Sequence, residues 1–125
     1  MGITYHPASD INELANVIVE KLDFDHIDMS RVIFLRSAGS KSQYTLARCH
    51  TLPRVMQKAL GMRPHYVIEV VSEKFDRLEE EEKIKTIIHE LMHIPKSFRG
   101  GFRHHADYVT RRQVEMMYRD FTERL

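Results

Sequence analysis

Residues 84 to 94, IKTIIHELMHI, constrain this chain more than any other stretch, because they join a helical apolar rhythm to three side chains of defined chemistry. At about 100° per residue, Ile84, Ile87, Ile88, Leu91 and Ile94 fall on one arc, so a helix here has one face to bury. His89 and His93 fall nearly opposite and lie one turn apart. Their imidazoles project from one side and can share a tetrahedral ion. Ordinary core histidines would sit within the aliphatic stripe, whereas these lie off it, on the wall of a cleft or at the surface. Glu90 stands beside them, where a carboxylate can take a proton from a metal-bound water and later pass it to a leaving amine. The pattern predicts an HExxH zinc site with His89 and His93 as ligands and Glu90 as general base.

A chain of 125 residues with 42% apolar content fits one domain, residues 1–125, with one modest core to pack beside that helix. The formal net charge of +1 supplies no global field for nucleic acid or an anionic membrane. Cys49 is the only cysteine, which excludes an internal disulfide and a cysteine-held structural zinc, and points to a reducing, cytoplasmic setting. His6-Pro7, Asp10, Asn12 and Glu13 interrupt residues 1 to 22, so no signal-peptide core is expected there. No later stretch reaches transmembrane length.

Ser9 or Asp10 can cap a first helix whose stripe is Ile11, Leu14, Ile18 and Leu22, with Asp10 and Glu13 spaced as a capping box. Val32 to Leu35 suits a buried strand, and Tyr44 to Cys49 reads as its hairpin partner across the turn Gly39 to Ser42. Pro53 fits the first turn of a short helix through Leu60, with Gly61 as its left-handed cap. Tyr66 to Val71 is the clearest strand, a candidate free edge for an extended peptide. Asp76 and Glu79 form a second capping box for the histidine helix, and Glu79 to Glu82 complement its dipole. Pro95 stops that helix, and Gly100-Gly101 permits a reversal. From about Asp107, the residues Val114, Met117, Tyr118, Phe121 and Leu125 mark a closing helix. The expectation is an α+β fold: a small three-stranded sheet packed against the HExxH helix and a C-terminal helix.

A third metal ligand has to return to the exposed side of the histidine helix after the glycine reversal. His104 and His105 both follow the turn closely enough. Asp107 is better used as the N-cap of the closing helix, and Glu115 sits well inside that helix. Oxyanion donors could be Tyr108, Arg103 or whichever histidine stays unligated.

Residues 89 to 105, HELMHIPKSFRGGFRHH, resemble the compact metallopeptidases carried mostly by archaea and phages, whose pattern is HExxHIP, a Gly-Gly turn and a further histidine. With the strand ahead of it, the similarity spans most of the chain. The resemblance implies a minimal zincin fold, zinc at His89 and His93, Glu90 as base, and a third histidine two residues beyond the arginine that follows the glycines, which is His105. Lys96 and Arg99 stand where the metzincin pattern has glycine and histidine, so the chain lies outside that group.

The expected activity is zinc-dependent hydrolysis of a peptide or protein substrate. Phe98, Arg99, Phe102, Arg103, Arg111 and Arg112 offer an alternative, a nuclease or a SprT-like protease acting on protein attached to DNA, since arginines with interleaved aromatics can hold phosphates and stack bases. The near-neutral charge disfavours it. A zinc-stabilised interaction protein without turnover is a third reading, against which the glutamate between the ligands argues.

Overall fold

The computed structural model describes residues 2–101, 103 and 109–125. Among them, four strands form one mixed sheet: β1 (Thr4–Pro7), β2 (Val32–Ala38), β3 (Ala47–Thr51) and β4 (Tyr66–Val71), in the spatial order β1-β2-β4-β3. β2 and β4 run parallel, while β1 and β3 pair antiparallel on the outside. The helices are α1 (Ser9–Lys21), α2 (Arg54–Leu60), α3 (Ser72–Phe75), α4 (Glu80–Met92) and α5 (Arg111–Glu123). The α+β class is as expected, with four strands in place of three.

The added strand, β1, is four exposed residues, one of them a proline, so it has no apolar alternation to betray it. It is defined by its partner, with Thr4 opposite Ala38 and Pro7 opposite Leu35. β4 corrects two further expectations. Five of its six residues are buried, and a strand apolar on both faces belongs in the middle of a sheet. It therefore separates β2 from β3, so these two form no hairpin, and its own edges are both paired. The outermost strand beside it is β3.

Ile11, Ala15 and Ile18 of α1, Ile87, Ile88 and Leu91 of α4, and Val114 and Phe121 of α5 gather with Phe34, Ile68 and Val70 of the sheet into one core. Each of these side chains larger than alanine contributes about 1.5–3 kcal/mol by leaving water. Leu125 stays 71% exposed and does not extend the α5 stripe.

The two expected capping boxes are absent. Ala8 and Glu79 precede α1 and α4, and neither helix has a side-chain cap. Asp10 and Asp76 are instead both bound by the Arg36 guanidinium, which ties the start of α1 and the α3–α4 junction to β2. α5 does have a capping box, made by Thr110 and Gln113, so the cap falls later than the expected Asp107, which lies outside the described residues. Pro53 and Gly61 (φ 63°) bound α2 as anticipated. No helix among the described residues is long and apolar enough to cross a membrane.

Candidate metal centre

α4 brings His89 and His93 together with Nε2 atoms 3.3 Å apart and rings near-perpendicular. Two nitrogens held about 2.0–2.1 Å from one tetrahedral zinc are separated by about 3.3–3.4 Å, so this spacing fits a shared ion. His93 is fixed from behind. Its Nδ1–H donates to the Arg103 carbonyl at 2.7 Å, and the Arg103 N–H donates back to the His93 carbonyl at 2.9 Å. A carbonyl can only accept, so the proton sits on Nδ1 and Nε2 carries the ring's lone pair, the form in which an imidazole can ligate a cation.

Glu90 is 6% exposed, with Oε2 3.9 Å from His89 Nε2. Burial alone pushes its pKa up to about 7. A cation beside it would draw that value down again, because positive charge favours the carboxylate. Among the described residues, His89, Glu90 and His93 are a group able to hold a metal ion, and imidazole nitrogens suit a divalent transition metal or zinc. Cys49 lies on β3 below them. Burial, and secondarily the charge of Glu90, pushes its thiol up to about 12, so it stays protonated and inert.

The site opens on a cleft of about 540 Å³ between Tyr44 to Ala47, the His89–Glu90 turn of α4, and Val109 and Val114. That size accommodates several side chains of a ligand. Lys85 also lines it, bonding Glu81 on its own helix at 2.9 Å and Glu115 of α5 at 3.0 Å. Both carboxylates hold its pKa above the ordinary lysine value. Glu115 thus links α5 to α4, which weakens its candidacy as a ligand. In the sequence, Glu79 to Glu82 read only as complementing the helix dipole, and the bridge of Lys85 to α5 depends on a distant partner.

His104, His105, Asp107 and Tyr108 lie outside the described residues, as does Phe102. Phe98 is not available to stack a base: it is 7% exposed, packs its ring 5.0 Å from that of Tyr66, and is covered by the Arg31 guanidinium. Arg99, Arg111 and Arg112 remain on the surface.

A family model described as "Putative phage metallopeptidase" matches residues 3–123. Comparisons with curated proteins and with solved structures return no match.

Proposed function

The chain belongs to this phage metallopeptidase family, and from that premise we propose that it is a zinc-dependent peptidase, a single zincin-like domain over residues 1–125. The observation that carries the reading is the 3.3 Å spacing of the two imidazole nitrogens beside a buried glutamate. His89 and His93 would hold the ion through Nε2, and His105 would complete the set. Zinc would supply the Lewis acidity that polarises the scissile carbonyl and makes water acidic at neutral pH. Glu90 takes a proton onto a carboxylate oxygen as water oxygen adds to the carbonyl carbon, then delivers it to the amide nitrogen as the C–N bond breaks. A low-dielectric setting suits that receipt, since it raises the carboxylate's affinity for the proton.

Ala47, at the start of β3, lines the same cleft, and an extended peptide can pair with the outer edge of such a strand through main-chain hydrogen bonds. The substrate is accordingly a peptide or an extended protein segment. A lone buried cysteine suits a reducing cytoplasm. Phe98, turned inward, takes one of the two aromatic side chains away from a nucleic-acid surface.

The test is metal analysis combined with digestion of a peptide library. Zinc-loaded protein should cut peptides, and Glu90→Gln should retain zinc while losing about 10²–10⁴ in rate. Turnover by that variant at the wild-type rate would remove Glu90 as the base. His89→Ala and His93→Ala should lose zinc together with the stability linked to it. Zinc affinity of His105→Ala against His104→Ala tests the third ligand, and a large loss in only the second would shift the assignment by one residue.

A further inference from the structure

We infer that Tyr66, outside the ligand set, is a positioning residue for His93, acting through the Gly100–Gly101 turn; the inference rests on His93 holding zinc. Tyr66 opens β4, on the sheet face that also presents Ile68 and Val70, and it is completely buried. Phenylalanine would fill that space without a polar atom to desolvate, so the hydroxyl needs a reason to be there. It finds one in the loop after the histidine helix: it accepts from the Gly100 N–H at 3.0 Å and donates toward the Gly101 carbonyl at 3.4 Å.

Other side chains hold the same turn. The Gly101 N–H donates to Thr51 Oγ1 at 2.9 Å, and Thr51 is the cross-strand neighbour of Tyr66. Gln57 Nε2 donates to the Arg99 carbonyl at 3.0 Å. Three consecutive backbone units are thereby fixed from β4, β3 and α2. There is no slack in the arrangement. At Gly100, φ is +106°, and an added Cβ would stand 2.9 Å from Gln57 Nε2 and 3.1 Å from the Leu52 carbonyl. Just before it, Phe98 keeps a left-handed φ of 51°, unusual for a residue with a side chain, under the Tyr66 ring and the Arg31 guanidinium.

Two residues beyond the turn, the Arg103 backbone exchanges its pair of hydrogen bonds with His93. The position of the Arg103 carbonyl decides how the His93 ring points and how strongly its Nδ1–H is held. Such partners behind a ligand typically change metal affinity by about 10–100-fold when they are lost. Tyr66 reaches that carbonyl through the turn it clamps, without itself approaching the ion.

The experiment measures zinc affinity by chelator competition well below the melting temperature, and separately the melting temperature of the zinc-free protein, for wild type, Tyr66→Phe, Thr51→Val and Ile18→Val. Ile18 is fully buried in α1 and serves as a control for stability alone. Tyr66→Phe is expected to weaken zinc binding by about 10–100-fold, and Thr51→Val in the same direction, while Ile18→Val binds as wild type despite its lower melting temperature. The cobalt-substituted Tyr66→Phe protein should also show a changed ligand-field spectrum. If Tyr66→Phe does not fold, Thr51→Val carries the test. Affinities and spectra of the folded turn variants matching wild type would overturn the inference and leave the peptidase reading intact, as would an equal loss of zinc in Ile18→Val. A wild-type chain that binds no zinc would overturn both.

Discussion

A buried carboxylate distant from any cation would be costly, and Glu69 illustrates how this sheet accommodates one. It sits on the central strand at 3% exposure, directly opposite Arg48 in the β3 register, and is bonded by His50 Nε2 at 2.8 Å and Arg48 Nη1 at 3.1 Å. Burial pushes its pKa upward, but the Ser37 hydroxyl, His50 and Arg48 together outweigh burial and leave it below the ordinary glutamate value. Ser37 Oγ is fully buried and forms no well-aligned hydrogen bond of its own, so its role is a weak one toward this carboxylate. A folded-state pKa below the unfolded one means that the ionised form stabilises the fold. That contribution is complete above the unfolded pKa and is lost as pH falls through the folded value. Glu69→Gln should therefore be less stable than wild type by about 1–3 kcal/mol near neutrality, with the gap closing on acidification below about pH 4. Urea unfolding of both proteins across that range checks it, and a gap that stays constant with pH would rule out the ionised carboxylate as the source.

At the scale of elements, the cap of α5 offers a direct measurement. Thr110 Oγ1 accepts from the Gln113 N–H at 3.2 Å while the Gln113 side chain accepts from the Thr110 N–H at 3.1 Å, satisfying two groups the helix cannot satisfy itself. Thr110→Ala should cost about 1 kcal/mol in thermal or urea unfolding. An unchanged stability would mean that the core contacts of Val114 and Phe121 hold α5 alone. This cap was not read from the chain, because Asp107 offered a competing start and nothing local distinguishes the two. What was legible was periodic or punctuated: the stripe Ile84 to Ile94, the strand Tyr66 to Val71, Gly61 after α2 and the reversal at Gly100-Gly101. The pairing of His89 with His93 followed from helix geometry alone. What was not legible depended on distant partners. β1 is visible only through β2, and the carboxylates of Asp10 and Asp76 serve Arg36 in place of their own helices. Glu90 is buried although it lies off the aliphatic stripe of α4, which a helical wheel cannot register.

Across the whole molecule, the placing of β4 at the centre moves the proposed peptide-binding edge to β3. The ladder between them fixes which backbone groups face outward. Leu46 accepts from the Val71 N–H and Leu52 donates to the His65 carbonyl, and Ala47 lies opposite Val70. In an antiparallel pair, hydrogen-bonded and non-bonded positions alternate, so 46, 48, 50 and 52 bond to the β4 side while Ala47, Cys49 and Thr51 direct N–H and C=O to the outer edge. Ala47 is the one of these that lines the cleft with His89 and Glu90. Proline at an edge position whose N–H faces outward removes no ladder bond and is tolerated, whereas proline at position 48 would break the sheet. Ala47→Pro should thus keep a melting temperature and zinc content close to wild type while kcat/KM on extended peptides falls by about tenfold, the worth of one main-chain hydrogen bond. If kcat/KM on extended peptides is unchanged in a folded, zinc-loaded Ala47→Pro protein, substrate does not lie along β3, and the cleft must bind it through side chains of α4 and α5 instead.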